Sequence, residues 1–365
     1  MQILAFYRLQ DMDKITTVME RWNALQPLSE RDREMLSRRF AIDFNYNSNH
    51  IEGNTLTYGQ TEILLLFGKV IGDAEVKDVQ EMTASHVALK MMTSEAPLKD
   101  IPLTQNFIRS LHKTLLREDY TVYKNLPGGG TTSYVVHAGQ YKTRPNSVIT
   151  RYGDRFEYAS PEETPALMTD LVDWYNAAER LGKFTPIELA ALFHYRYIRI
   201  HPFEDGNGRM ARLMTNYILS RHGYPMIVVR SRKKNEYLEA LHKTDLTVGA
   251  EPSLGAHASK RDIQQFLTYF TNLFAEEVTF NIRFLTERGD NVWWFDGERV
   301  HFRAETTSKI LNLIYASPDI TIACLSEQVG INIAAVNKQV KRLVDRGYIQ
   351  RSANGNWRLI ITPSI

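Results

Sequence analysis

Apolar residues recur along most of this 365-residue chain at the three- and four-residue spacing of helices, and few runs alternate as strands do, so the bulk is expected to be all-α. The clearest pattern opens at Thr185-Pro186-Ile187-Glu188. Thr185 reads as an N-cap, Pro186 as the first helical residue, and Glu188 as the partner that closes a capping box. The run behind it (Leu189, Ala190, Leu192, Phe193, Tyr197, Ile198, Ile200) is too apolar for a surface helix and is predicted to be buried. Pro202 disfavours helical geometry at His201, so the helix is expected to stop there. A second helix is predicted from about Gly208 to Arg221, capped by Gly223, with Pro225 preventing its continuation. Far upstream, Ser29 to Glu52 reads as one helix with Gly53 as its stop.

The C-terminal third changes character. Gly249 to Ala258 reads as a loop, and Ser259 with Asp262 opens a Phe- and Leu-rich helix running to about Glu287. Arg288-Gly289-Asp290 breaks it, and Trp293-Trp294-Phe295 are expected to pack it against the C-terminal segment. Thr306 to Ala316 reads as a helix, Leu325 to Val329 and Ile333 to Arg346 as helix, tight turn, helix, and Tyr348-Ile349 with Asn354-Gly355 and Trp357 to Ile360 as a two-stranded wing. This segment is similar to a winged helix-turn-helix. Its second helix carries Lys338, Lys341, Arg342 and Arg346, and the wing adds Arg351 and Arg358; these cations suit phosphates or, equally, a solvated face used for protein contacts. Asn332, Asn337 and Gln339 are the few candidates for base reading. The chain divides into four segments: an N-terminal helical lobe (1–95), a core (96–260), a connecting helix and linker (261–299), and the winged-helix domain (300–365). The fold class is mainly α, with a small β-hairpin and a small α+β domain.

Composition narrows the partners. With 44 Lys+Arg against 42 Asp+Glu, the net charge of +2 gives no global field for nucleic acid or membranes. A single cysteine, Cys324, excludes an intrachain disulfide framework and suits a reducing compartment. Ile3 to Tyr7 is too short an apolar run for a signal peptide, and no span is long enough for a membrane helix, so the expected location is cytoplasmic.

The chemistry concentrates in His201-Pro202-Phe203-Glu204-Asp205-Gly206-Asn207-Gly208-Arg209-Met210-Ala211-Arg212. Gly206 and Gly208 let the backbone turn tightly at a helix N-terminus, whose unpaired N–H groups and positive dipole end suit an anion. Arg209 and Arg212 share a face within the first turns. Cations there oppose the dipole unless a strong anion binds, and a polyphosphate fits. Asp205 beside it suits Mg²⁺, which takes one or two carboxylates plus phosphate oxygens. A neutral His201 at the end of a rigid helix suits proton removal from a hydroxyl. Singly, each residue has a plainer reading as a core histidine or a solvated charge; the whole string does not. The Gly-Lys-Ser/Thr of strand–loop–helix ATPases is absent.

At these residues the chain resembles the Fic family, whose members transfer AMP from ATP to protein hydroxyls. The family pattern His-x-Phe-x-Asp/Glu-Gly-Asn-Gly-Arg-x-x-Arg is matched at every fixed position, and Glu188-Leu189-Ala190-Ala191, His194 and Asn235 to Leu241 extend the likeness over roughly 100–245. The resemblance implies a Fic-type helical catalytic core, His201 as general base, Phe203 as loop anchor, and Asp205 as the Mg²⁺ ligand. It makes Gly206, Asn207 and Gly208 an anion nest, and Arg209 and Arg212 the neutralisers of the phosphate tail of ATP. The death-on-curing branch, a phosphotransferase, carries Lys where this chain has Gly208, which favours AMP transfer.

Ser48-Asn49-His50-Ile51-Glu52-Gly53 resembles the family's inhibitory motif, Ser/Thr-x-x-x-Glu-Gly/Asn. Alone, Glu52 reads as an exposed acid at a fraying helix end. The resemblance pairs it instead with Arg212, in the space of the γ-phosphate, with Ser48 and Gly53 completing the motif. Tyr141 to Arg144 and Ser147 to Thr150, Gly153-Asp154, then Phe156 to Tyr158 read as a hairpin near 142–158, either an ordinary surface hairpin or the flap with which Fic proteins hold a target protein by strand addition. Asn235 and Tyr237 are placed at the adenine. The expected activity is autoinhibited adenylylation of Ser, Thr or Tyr. The alternatives are a DNA-binding regulator with the core as nucleotide sensor, and removal of AMP with Glu52 positioning water. A homodimer remains open.

Overall fold

The computed structural model describes residues 14–125, 129–149, 155–287, 292–295, 298–302, 304–352 and 355–363. In chain order its elements are α1 (14–23), α2 (Glu30–Ile51), α3 (Tyr58–Phe67), α4 (Val76–Glu95), α5 (Gln105–Leu116), β1 (Tyr120–Asn125), β2 (Thr131–Val136), β3 (Ser147–Ile149) and β4 (Arg155–Glu157). Next come α6 (Thr164–Leu181), α7 (Pro186–Ile200), α8 (Asn207–Arg221), α9 (Lys234–Val248), α10 (Pro252–Ala256) and α11 (Gln264–Thr286). The chain closes with β5 (Trp293–Phe295), β6 (Glu298–Val300), α12 (Glu305–Ala316), α13 (Ile322–Val329), α14 (Ile333–Asp345), β7 (Ile349–Arg351), β8 (Trp357–Leu359) and β9 (Thr362–Pro363). Among the described residues, no helix is long and apolar enough to cross a membrane.

Two compact units result. One takes the described residues through Glu20, the segment Asn47–Asn54, and Gln80–Val278; the other takes Arg21–Tyr46, Thr55–Val79 and Thr279 onward. The four sequential segments read from the sequence therefore do not coincide with the units, because the first 95 residues divide between both. Arg39 of α2 shows why: its guanidinium lies 3.6 Å from the Phe280 ring and 4.2 Å from that of Phe284, while Tyr58 packs on Ile360 and Phe295.

The first unit is built around α7, which packs against α8, α6 and α10. It is buried on all sides, and its Thr185–Glu188 capping box forms as expected. Because the cap satisfies helix-end N–H groups at the mouth of a buried element, Thr185→Ala is expected to cost about 1 kcal/mol, read as a lower midpoint in thermal unfolding. Fully buried Arg199 on the same helix gives Nη2 to the carbonyls of Gly249 and Glu251, and a Cβ on Gly255 would overlap its guanidinium. That close approach explains a glycine inside α10, a short helix where a loop was expected. β3 and β4 form the expected hairpin, in the register Ser147↔Glu157 and Ile149↔Arg155. Tyr141 to Arg144 are not strand, and Thr150, Gly153 and Asp154 lie outside the described residues. The β1–β2 hairpin had no expectation in the sequence.

In the second unit, α12, α13, α14 and the β7–β8 wing enclose Ile310, Leu325, Val336, Leu343 and Trp357 as a winged helix-turn-helix, and Asn354 lies outside the described residues. A further sheet, ordered β6-β5-β9, was not expected. Several side chains that are candidates for nucleic-acid contact also bond within this unit. Asn332 caps α14 by accepting from the Ala335 N–H at 2.8 Å, and Gln339 is tied to Thr306 and Thr307 of α12. Arg358 gives Nη2 to the Gly59 carbonyl, and Arg351 donates to Gly355 while lying over Trp357. Asn337, Lys338, Lys341, Arg342 and Arg346 remain exposed, as does the free thiol of Cys324.

Candidate active site

The turn between α7 and α8 gathers the charged residues of the sequence motif. Helix α7 ends at His201, whose backbone is left-handed (φ 51°, ψ 60°) and whose N–H still reaches the Tyr197 carbonyl at 2.9 Å. A non-glycine residue rarely holds that conformation, so the surroundings must impose it. The imidazole stacks on Tyr158, which follows β4, ring centroids 3.9 Å apart, and Nδ1 faces the Ile198 carbonyl at 3.3 Å. A ring nitrogen facing a carbonyl must carry the proton, which leaves Nε2 as the basic atom. Burial, reinforced by the nearby Lys142 ammonium, pushes the His201 pKa down from 6.5 to about 3, so the ring is neutral at any ordinary pH.

Phe203 is fully buried, stacked on the His112 ring with centroids 3.6 Å apart, which is the anchoring role implied for it. The Asn207 side chain accepts from the Phe203 N–H at 3.0 Å and donates back to the Phe203 carbonyl at 2.7 Å, stapling the loop shut. What Asn207 offers an anion is therefore its backbone N–H, not its amide. Gly206 caps α8 in the left-handed region (φ 76°) and supplies no side-chain cap, so the first N–H groups of that helix stay free to meet a ligand.

Asp205 turns its Oδ2 to the Tyr120 hydroxyl at 2.6 Å and to Arg209 Nη2 at 3.3 Å. Burial works against ionisation of this carboxyl, but Arg209, the Tyr120 hydroxyl and the Gly206 N–H overcome it and hold its pKa below the ordinary value. Arg209 is itself buried, and its Nε donor has no hydrogen-bond partner among the described residues. Behind the loop, His112 accepts from the Gly139 N–H at Nδ1 and so donates from Nε2 to the Asp205 carbonyl at 3.0 Å. Tyr120 and His112 carried no signal in the sequence: their partners lie 85 and 93 positions away.

Arg212, one turn further along α8, meets the end of α2. Its Nε donates to Ser48 Oγ at 3.0 Å and its Nη2 to the Ser48 carbonyl at 2.8 Å and to Glu52 Oε1 at 2.6 Å. Gly53, at φ 101°, terminates that segment. The Glu52 carboxylate also crosses the start of α8 so closely that a Cβ on Gly208 would overlap it. An anionic group thus already occupies the helix N-terminus where an external anion is favoured. Lys234 Nζ, on the carbonyl of Ile51 at 2.6 Å, helps hold this turn in place.

Tyr237 is buried in a narrow cavity with His194, Arg212, Ile227, Val229 and Phe266, and its hydroxyl meets His194 Nε2 at 2.8 Å. Asn235 is not part of that wall; it sits exposed at the start of α9, so the two residues assigned together to the adenine are not brought together.

This loop, with a neutral imidazole at one end and an arginine-lined helix N-terminus at the other, is the signature of a known group. The Fic/DOC family model matches residues 102–219, and a winged helix-turn-helix DNA-binding model matches 303–350. A Fic domain-containing signalling protein from Bacteroides thetaiotaomicron is 49% identical, with a TM-score of 0.70, over 76% of this chain and 98% of that one. The chain belongs to the Fic/DOC family. Protein adenylyltransferase fic-1 of Caenorhabditis elegans is 31% identical over 215 residues, 59% of this chain and 38% of that protein. A Fic-1 fragment from C. elegans superposes with a TM-score of 0.59 at 26% identity, covering 77% of this chain and 73% of the fragment. The chain thus spans about two fifths of the curated relative it matches.

Proposed function

We propose that this protein is an autoinhibited adenylyltransferase that moves AMP from ATP to a Ser, Thr or Tyr hydroxyl of a target protein, or of itself. The observation that carries the reading is the juxtaposition of a neutral His201, basic at Nε2, with an uncapped helix N-terminus flanked by Arg209 and Arg212. The adenylyltransferase names of the curated relatives point the same way.

In this reading the target hydroxyl gives its proton to His201 Nε2 as its oxygen bonds to the α-phosphorus. The bond from that phosphorus to the bridging oxygen breaks, and pyrophosphate departs. The backbone N–H groups of Asn207 and Gly208 and the guanidinium of Arg209 balance the charge that collects on the leaving group. Asp205 fits Mg²⁺, since its carboxyl is held ionised beside the anion loop. No group of three His, Cys, Asp or Glu side chains converges there among the described residues, so phosphate oxygens and water would complete the shell. Bound Mg²⁺ would supply positive charge to the phosphate oxygens. Glu52 inhibits because its carboxylate holds Arg212 and covers Gly208, the ground a γ-phosphate needs. The flap β3–β4 offers an edge for a target strand.

Labelled ATP tests the reaction class. With the Glu52→Gly form, label in the α-phosphate should remain on protein while label in the γ-phosphate should not. Transfer of the γ-label, or of neither, defeats the assignment.

The C-terminal unit supports a second reading, DNA contact, through its family match and the exposed cations of α14. With Asn332, Gln339 and Arg358 otherwise engaged, phosphate contacts should dominate. Anisotropy of a labelled duplex with the whole chain should show binding that weakens steeply between about 50 and 200 mM salt. No binding at the lower salt removes this reading.

A further inference from the structure

The carbonyls of the turn that carries His201 are held by one short segment that the reaction scheme does not use. Lys142 Nζ donates to the Ile200 carbonyl at 3.1 Å, and the Lys142 N–H donates to the Pro202 carbonyl at 2.9 Å. Asn146 Nδ2 reaches the carbonyls of His201 at 3.4 Å and Phe203 at 2.9 Å. Thr143, through its N–H and hydroxyl, holds the Glu204 carboxylate. Five consecutive residues, 200 to 204, thus take a hydrogen bond from within 142–146. Lys142 Nζ also donates to Asn146 Oδ1 at 2.8 Å, which joins the two ends of the segment.

We propose that residues 142–146 are a positioning strap, in which Lys142 and Asn146 impose the left-handed turn that aims His201 at the target hydroxyl and couple that turn to the flap. The proposal rests on the adenylyltransferase reading above. Three observations carry it. Carbonyls at the end of a helix have no partner within it, so something must hold those of Ile200 and beyond. The strained backbone of His201 persists only if its surroundings over-determine it, and the strap supplies that constraint. Asn146 directly precedes Ser147, the first residue of β3, so a strand added to the flap pulls on the same segment that holds His201.

Lys142 has a second consequence. It is 3% exposed and has no carboxylate within ion-pair distance among the described residues, an expensive place for an ammonium. Burial lowers its pKa to about 7, partly offset by Glu163. The groups facing His201 are Lys142, Asp205 and the stacked Tyr158 ring. Asp205 draws a proton toward His201 and Lys142 repels it, so loss of the Lys142 charge must raise the His201 pKa.

The test compares Asn146→Ala, Asn146→Asp, Lys142→Met and Lys142→Arg in the Glu52→Gly background. Expected is a fall in kcat of about 10- to 100-fold for the first three, the scale of a misaligned reacting group, with KM for ATP changed less than about threefold. Lys142→Arg, which keeps charge and donors, should recover most of the rate. The backbone NMR shifts of residues 200–204, which report the left-handed turn and need no turnover, should move in Asn146→Ala and Lys142→Met and stay close to those of the parent in Lys142→Arg. Folded variants with unchanged kcat, or with losses confined to KM for ATP, overturn the strap. If the Glu52→Gly parent transfers no AMP, the activity reading fails instead, and unmoved backbone shifts at residues 200–204 in Asn146→Ala and Lys142→Met still overturn the strap.

Discussion

Replacing Glu52 with glycine is expected to raise AMP incorporation by about 10- to 40-fold over the wild-type chain. The single contact from Arg212 Nη2 to Glu52 Oε1 is 2.6 Å long, and Arg212 is 3% exposed against 40% for Glu52. A hydrogen bond between charged groups contributes about 1.5–3 kcal/mol, and every 1.4 kcal/mol is tenfold in an equilibrium. Partial exposure of the carboxylate pulls the figure to the lower half of that range. Glycine removes both the competing anion and the bulk above Gly208, leaving the guanidinium for a phosphate. Ser48→Ala should give a much smaller increase, because Arg212 loses one acceptor while Glu52 stays. Initial rates with α-labelled ATP measure both. Equal rates for wild type and Glu52→Gly would mean that the carboxylate is no brake. A wild-type chain that strips AMP from a modified protein, with Glu52→Gly unable to, would make Glu52 a positioner of water instead.

The parts of this site that were legible in the sequence are those whose physics is local. Thr185, Pro186 and Glu188 announce a helix within four residues, Pro202 ends it at His201, and the glycines just beyond announce a tight turn into a second helix. The pairing of Glu52 with Arg212, 160 positions apart, came through family resemblance, although a carboxylate in the last turn of a helix already called for a cation. The rest depends on contacts that no spacing encodes. Tyr120 on Asp205, His112 under Phe203 and Lys142 beneath Ile200 arise only once α5, β1 and the strap are folded over the loop. Asn332 and Gln339 make contacts of the same non-local or capping kind. Their side chains suit base edges, but a helix N-terminus and a neighbouring threonine pair claimed them first. β5, β6 and β9 are too short to leave an alternating pattern.

His201→Ala in the Glu52→Gly background is expected to cut transfer by about 10²- to 10⁴-fold, the range over which a positioned general base acts. ATP binding should survive, because the anion loop and Arg212 lie on α8, so equilibrium titration with ATP separates loss of chemistry from loss of the site. The pH profile gives a sharper check. An ordinary histidine would gain its proton near pH 6.5, but burial and Lys142 hold this one to about 3. The neutral base therefore persists as pH falls, and kcat should show no acid limb from His201 between pH 8 and pH 5. Removing the stacked ring with Tyr158→Ala opens the imidazole to water, which weakens the larger of the two causes and should bring an acid limb up into that window. Stability limits the range from below. His201, His194 and His112, lowered to about 3, 3 and 4, are neutral when folded and take up protons near 6.5 when unfolded. The unfolded chain then binds more protons, so stability is complete above about 6.5 and drains away as pH falls toward 4. Circular dichroism at each pH distinguishes unfolding from titration of the base, and an acid limb near 6.5 in a chain that is still folded would show that His201 is not held neutral by its pocket.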